Sequence, residues 1–424
     1  MKKRLITAVL CAAMMLASCG ESSIREARGE QVTQGTSSAS TTTSAAASTS
    51  ASAATTTTTA ATTAATTTTA IPEKKDKVGE LMAKMTLEEK IGQLFVVRAS
   101  ALDMKKTQGG SVTVCDDSVK AALSQYHVGG VVYFADNIKD PEQLTKLSSG
   151  LQSASAYPLF ITADEEGGNV TRIAQDPDFK VMQFASMLTV GSSGDAGKAH
   201  DVGQTIGKYM KQYGMNLDLA PVADIFSNPY NTVIGDRAFG RDAETVSVMV
   251  NACVKGFHEQ GMMTCLKHFP GHGDTAEDSH YGAAVVDRTW EELLKRELVP
   301  FIASLDETDM VMAAHVSLPK VTGDNTPASM SKAILTDKLR GELGFEGVII
   351  TDSLGMGAVS KNTPPGEIPV KILEAGADIL LMPTSLPIAY GGVMNAVKSG
   401  RISVERIESS VRRILTLKEK YGLI

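Results

Sequence analysis

The densest chemistry in the sequence is the run KHFPGHGDTAEDSH, Lys267 to His280, which holds three of the chain's 7 histidines beside Lys267, Asp274 and Asp278. An apolar run, GMMTCL, precedes it, so a short buried strand delivers these side chains to a Gly-rich loop, as rigid frames commonly present reactive groups. Asp278 and His280 stand two apart, and on an extended segment both side chains point the same way. A carboxylate on one imidazole nitrogen fixes the tautomer and favours the imidazolium, leaving the other nitrogen to give or take a proton. The pair reads as a general acid and base; the plainer alternative is a local contact that stiffens the turn. Asp352 follows GVIIT, at the end of another expected strand. A carboxylate there can attack a sugar's anomeric carbon and hold a covalent glycosyl intermediate. Capping the next helix is an equal alternative on position alone.

Other chemistries fit less well. His268, His272, Asp274, Asp278 and His280 are all metal-ligand types, but their spacing matches neither HExxH nor a helical i, i+4 pair. Pro270, Gly271 and Gly273 make a helix through His268 and His272 a poor fit. No metal and no cofactor is therefore expected. Ser329-Met330-Ser331-Lys332 matches SxxK, yet no SDN or KTG follows, so Ser329 or Ser331 is read as a helix cap. GxSxG, Walker A and dinucleotide fingerprints are absent. A net charge of -7 with no long basic run argues against nucleic acid as a partner.

These residues need a frame. Apolar, β-rich windows fall at 94–97, 130–134, 159–162, 216–220, 262–266, 309–314, 347–351 and 378–382. Amphipathic helical windows lie between and after them, at 119–126, 141–154, 196–213, 243–259, 291–304, 332–343, 387–398 and 404–421. Ahead of the first strand, 78–94 carries a broken helical stripe that Thr86 and Glu89 restart as a capping box. Strands alternating with helices imply a parallel sheet covered on both faces. Asp164 and Glu165, Asp224, Lys267 and His268, His315, and Asp352 each follow a different strand window. Polar groups at the C-terminal ends of many strands favour a single (β/α)8 TIM-type barrel over an open doubly wound sheet, which gathers them at one switch point.

The N-terminus reads as a targeting segment. Lys2, Lys3 and Arg4 precede an apolar run too short to span a bilayer, which ends at Leu16-Ala17-Ser18-Cys19. This resembles a bacterial lipobox, with residues 1–18 as signal peptide and Cys19 as the acylated residue. Residues 19–73 include a stretch of only Gly, Ser, Thr and Ala, which has no apolar face to bury and is expected to be a disordered tether. The remaining Cys115, Cys253 and Cys265 form no CxxC pair and read as buried apolar residues. The folded domain is expected over residues 74–424, extracytoplasmic, monomeric and anchored to the bacterial cell membrane by lipid.

KHFPGHGDTAEDSH resembles the signature of family-three glycoside hydrolases, in particular the β-N-acetylglucosaminidase branch, which carries its acid/base on this loop as an Asp–His pair. TADEEGGNVTR, LDLAPVADI, IGDRAFG and VIITDSLGM resemble further stretches of that family, in order. The resemblance implies Asp352 as nucleophile and His280 as acid/base, oriented by Asp278. It also implies that Asp164, Arg237, Lys267 and His268 line the subsite for the terminal sugar, with Arg172 a further candidate. The sequence departs from the pattern at Asn169, where relatives often carry Arg; that position is expected beside the sugar and bears on fine specificity. The second domain of many members has no room here, so no Glu acid/base from one is expected. The implied activity is a retaining exo-β-N-acetylglucosaminidase acting on N-acetylglucosaminides such as muropeptides. A phosphorylase, a nucleophilic substrate acetamide in place of Asp352, and a non-catalytic glycan-binding lipoprotein remain alternatives.

Overall fold

The computed structural model describes residues 76–103, 111–275 and 284–424. The chain divides into Met1–Ile71 and Pro72–Ile424, and every described residue belongs to the second unit. Cys19, the signal peptide, the tether, Asp278 and His280 lie outside the described residues.

Strands β1 (Phe95–Arg98), β2 (Gly130–Val132), β3 (Phe160–Ala163), β4 (Leu217–Asp218), β5 (Cys265–Phe269), β6 (Ala284–Val285), β7 (Met310–Ala313), β8 (Val316–Ser317), β9 (Val348–Thr351) and β10 (Leu380–Leu381) alternate with helices. Two parallel sheets run β10-β1-β2-β3-β4 and β5-β7-β9, and β6 pairs with β8 apart from them. Isolated parallel bridges join Leu217 to Met263, just ahead of β5, and Ile350 on β9 to Ile379, just ahead of β10. Parallel pairing therefore passes from β1 through both sheets and back to β1. The strand interiors are almost wholly buried Val, Ile, Phe, Leu and Met, as expected where helices cover the outer face.

The helices start where the sequence supplies caps. Asp116, Asp140, Asp242 and Ser403 each accept a backbone N–H at the head of Asp117–Tyr126, Pro141–Ala154, Ala243–Glu259 and Val404–Lys420. Thr86 and Glu89 form the expected capping box of Leu87–Gln93.

Three expectations need correction. The fifth strand is read from sequence as 262–266, but β5 spans Cys265–Phe269 with all its residues buried. Lys267 and His268 end the apolar run without ending the strand, because carboxylates inside the fold meet them. The helix expected at 291–304 is broken into Trp290–Leu294 and Val299–Ile302, since Pro300 has no N–H to continue the ladder. The short β6–β8 pair, and helices Met187–Ser192 and Ile368–Ala375, have no counterpart among the windows read from sequence. Among the described residues no helix is long and apolar enough to cross a membrane.

Polar groups at the other end of the sheet fasten the structure. Asp378 takes Arg340 at 2.5 Å and Arg413 at 2.9 Å. Lys418, fully buried, donates to Gln93 Oε1 at 2.9 Å and to the Gly129 carbonyl at 3.0 Å, without a carboxylate among the described residues. Burial pushes its pKa down to about 7 from 10.5. The folded protein thus releases this proton near pH 7 while the unfolded chain keeps it to about 10.5. The charge penalty is complete below that window and relieved as pH rises through it. Urea titrations should show the stability of the wild type, relative to Lys418→Met, rising by about 2 kcal/mol between pH 7 and 9. A difference that stays flat with pH would contradict a buried, titrating Lys418.

Candidate active site

A cavity of ≈ 590 Å³ opens at the C-terminal ends of the parallel strands. Asp164, Arg172, Arg237, Lys267, His268 and Asp352 all line it, so every described residue that the sequence assigns to the site is brought together. Glu166, His272 and Phe134 line it too.

Glu166 lies at the centre of the polar floor. Arg237 grips it with two parallel bonds, Nε to Oε2 at 2.8 Å and Nη2 to Oε1 at 2.7 Å, the bidentate geometry that suits guanidinium to carboxylate. Lys267 Nζ lies 2.5 Å from the same Oε1 and donates to Asp164 Oδ1 at 2.8 Å. Burial opposes ionisation of Glu166, but Arg237 and Lys267 hold its pKa far below the ordinary carboxylate range. Likewise burial opposes the charge on Lys267, and Asp164 and Glu166 more than offset it, raising its pKa. Asp164 and Glu166 are two apart and both line the cavity; that spacing is the signal available in the sequence for Glu166, which the motifs alone leave without a role.

The backbone that carries these acids is fixed from behind. Glu165, fully buried, accepts the N–H groups of Arg172, Ile173 and Ala174 and the Tyr209 hydroxyl at 2.5 to 2.9 Å. It is a clamp for the 165–174 loop rather than a cavity group. Gly167 and Gly168 turn that loop at φ 87 and 59, a region glycine enters without steric cost. The loop leaves Arg172 at the cavity wall, its Nη2 3.5 Å from Asp164 Oδ2 and its Nε buried with no hydrogen-bond partner among the described residues. Asn169 does not line the cavity: it is exposed and donates to Asp236 at 3.2 Å, because the glycine turn carries it outward.

Asp224 anchors the next side of the site. Its Oδ2 takes both the backbone N–H of His268 at 3.0 Å and the ring Nδ1 at 2.7 Å, while Oδ1 takes the His272 N–H at 2.6 Å. Burial raises the carboxyl's pKa, but His268 and these donors bring it below the ordinary value. The Nε2 of His268 lies 3.5 Å from Arg237 Nη2. Burial and the neighbouring His268 keep the His272 pKa low. Thr275 and Asn231 tie down the ring and carbonyl of His272, and Asp274 pairs with Arg288 at 2.9 Å. His272 is thus a cavity residue, whereas Asp274 shapes the loop. A side chain at Gly273 would place its Cβ 1.7 Å from the Ile225 carbonyl oxygen, so the loop can pass there only as glycine.

Asp352 completes the described cavity. It does not cap a helix: Gly357–Ser360 begins at Met356 with no side-chain cap. Its backbone N–H donates to the Ala313 carbonyl at 3.0 Å, and Oδ1 accepts the Ser353 N–H at 2.7 Å. Burial would raise its pKa, but His268, His315 and Lys267 hold it below the ordinary carboxylate value. His315 donates from Nε2 to the Ser353 carbonyl at 3.0 Å, and its Nδ1 is hydrogen-bonded to the Ser329 hydroxyl at 2.7 Å. Ser329 therefore holds the His315 ring instead of capping a helix. The result is an ionised carboxylate, set in place by its neighbours, facing a cluster of oriented donors. Among the described residues no group of acids, His and Cys could hold a metal ion.

Residues 86–417 match the model of the glycosyl hydrolase family 3 N terminal domain. The chain is 33% identical over 371 residues to "Beta-hexosaminidase A" of Pseudoalteromonas piscicida, covering 79% of this chain and 61% of that protein. It is 33% identical over 314 residues to "Beta-hexosaminidase LpqI" of Mycobacterium tuberculosis, covering 70% of this chain and 78% of the relative. Among solved structures, a glycoside hydrolase family 3 beta-N-acetylglucosaminidase from a Paenibacillus species superposes with a TM-score of 0.75 at 38% identity, covering 80% of this chain and 63% of that one. The chain thus spans less than two thirds of the Pseudoalteromonas and Paenibacillus proteins. With its motifs in order and its acids and cations converging on one cavity, the chain belongs to the glycosyl hydrolase family 3, through that family's N-terminal domain.

Proposed function

We propose that the protein is a retaining exo-β-N-acetylglucosaminidase. The observation that carries this is the ionised Asp352 carboxylate in one cavity with the Glu166–Arg237–Lys267–Asp164 cluster. The cluster and the Arg172 Nε would hold a sugar's hydroxyl and acetamido oxygens, with Asp352 under the anomeric carbon. Asp352 attacks that carbon as His280, oriented by Asp278, gives its proton to the leaving oxygen. The glycosyl ester is then hydrolysed by water that His280 deprotonates. Both members of the dyad lie outside the described residues; their place in the sequence motif KHFPGHGDTAEDSH is what supports their roles.

The unbroken parallel pairing around β1 to β10 supports a (β/α)8 barrel with its active site at the C-terminal face. We further propose an extracytoplasmic, monomeric enzyme, lipid-anchored at Cys19 and tethered by residues 19–73. There it would meet muropeptides and related glycans. Metabolic labelling with an alkyne fatty acid should tag the wild type and not Cys19→Ser; equal labelling would contradict the anchor.

Turnover of an aryl β-N-acetylglucosaminide tests the activity directly. The wild type should hydrolyse it with the same yield of free sugar with or without phosphate, and Asp352→Asn and His280→Ala should be at least about 100-fold slower. Equal rates in all three proteins would mean that these residues do no chemistry. A sugar phosphate product would assign phosphorolysis in place of hydrolysis.

A further inference from the structure

The segment after β4, from Asp224 to Arg237, fastens the stretch His272–Thr275 that follows β5. Asp224 Oδ1 takes the His272 N–H at 2.6 Å. The backbone N–H of Asn228 donates to the Gly273 carbonyl at 3.1 Å, and its side-chain amide donates to the Asp274 and Thr275 carbonyls at 3.4 and 3.2 Å. The Asn231 amide donates to the His272 carbonyl at 2.8 Å and to the Thr275 hydroxyl at 3.3 Å. Every residue of the stretch is thus bonded to one neighbouring segment. Neither Asn228 nor Asn231 lines the catalytic cavity, so neither meets a sugar bound there.

Asn231 is buried and uses both ends of its amide. Its Oδ1 accepts the N–H groups of Val233 and Ile234 at 3.0 and 2.8 Å, a local side-chain cap on the backbone. Val233 lines the cavity, and its carbonyl accepts Arg237 Nη1 at 2.9 Å. One side chain therefore sets the turn that carries Arg237 and, through its nitrogen, the backbone of His272–Thr275. In sequence that backbone runs on through Ala276 and Glu277 to Asp278 and His280. Asp352, by contrast, is held by Ala313 and Ser353, without either Asn.

We propose that Asn228 and Asn231 are positioning residues for the proton given to the leaving group. They act through the backbone of His272–Thr275, and Asn231 keeps that backbone in register with Arg237, which grips Glu166. This rests on the glycosidase reading above, with His280 as the proton donor. A general acid works only within hydrogen-bond reach of the leaving oxygen, and a displacement of about 1 Å can cost about 100-fold in rate. The amides of both side chains hold the chain that leads to this acid. Their loss falls on the proton transfer and leaves the Asp352 carboxylate in place.

The test compares two substrates of one glycosyl donor, phenyl and dinitrophenyl β-N-acetylglucosaminide. Phenoxide needs a proton to leave well, whereas dinitrophenoxide is a stable anion that departs without one. Asn231→Asp keeps an oxygen for the Val233 and Ile234 N–H groups but has no amide for the His272 carbonyl. Asn228→Ala, at a half-buried position, removes the second amide without adding a charge and serves if Asn231→Asp folds poorly. Because kcat/KM reports the step in which the leaving group departs, each variant should lower it at least about 10-fold on the phenyl substrate and less than about threefold on the dinitrophenyl one. His280→Ala should show the same split, larger. A split in either Asn variant supports the inference, since a merely structural role would lower both rates alike. Equal losses, or none, in both Asn variants beside a split in His280→Ala would overturn the inference alone. No split in His280→Ala, or hydrolysis of neither substrate by the wild type, would instead overturn the reading on which it rests, and the inference with it.

Discussion

Asp352→Asn is expected to fold normally and to lose about 10³- to 10⁴-fold in kcat/KM on an aryl N-acetylglucosaminide, about 4 to 5.5 kcal/mol of transition-state stabilisation. The amide is nearly isosteric, and its oxygen can still accept the Ser353 N–H that Oδ1 accepts at 2.7 Å. What disappears is the nucleophile: an amide oxygen cannot form the glycosyl ester at a useful rate. The wild-type carboxyl is held below its ordinary pKa of 3.8 despite burial, with His268, His315 and Lys267 the opposing influences. It therefore stays ionised through neutral pH and is lost only as pH falls through that lowered value. Thermal unfolding should place the variant within about 2 °C of wild type. A variant that retains more than about a tenth of the rate would point to a substrate acetamide as nucleophile.

The second large effect falls on stability. Lys267→Met should cost about 3 to 5 kcal/mol, the usual range when one partner of a buried ion pair is removed. Lys267 is 1% exposed, and its ammonium contacts Asp164 and Glu166 at once. Without it Glu166 keeps Arg237, but Asp164 keeps only Arg172 at 3.5 Å. Adding Asp164→Asn to the variant should recover about 1 kcal/mol or more, since the carboxylate left with only a 3.5 Å partner is gone. The sign with pH follows from Glu166, whose pKa is lowered from 4.5. Its stabilising pairing is complete above that value and fades as pH falls through the folded one. The gap between wild type and Lys267→Met should therefore narrow in acid. A loss below about 1 kcal/mol at neutral pH, or a gap independent of pH, would mean that the cluster contributes no net stability.

Much of the fold and of the site is legible in the sequence. Apolar windows between capped helices locate the eight strands of the two main sheets, because a strand covered on both faces must be apolar along its length. Asp352, Asp164 and Lys267 stand out because polar residues that end apolar strands need a reason to be there. The errors share a cause. Sequence pattern puts Lys267 and His268 beyond their strand, since local pattern cannot show that Asp224, Asp164 and Glu166 arrive from other strands to compensate them. Glu165 and Glu166 are neighbours of the same charge, yet one clamps backbone and the other faces the cavity. Only the alternation of side chains distinguishes them, and the motif alone points to Asp164. Asn169 has sequence neighbours that belong beside the sugar, but two glycines turn it outward.

The most direct measurement is covalent trapping. A slow fluorinated N-acetylglucosaminide incubated with the wild type, followed by proteolysis and mass mapping, should place one glycosyl group on the peptide VIITDSLGM, at Asp352. Asp352→Asn should carry none. A glycosyl group on any other residue, or an active wild type that accumulates no adduct at all, would contradict Asp352 as the nucleophile.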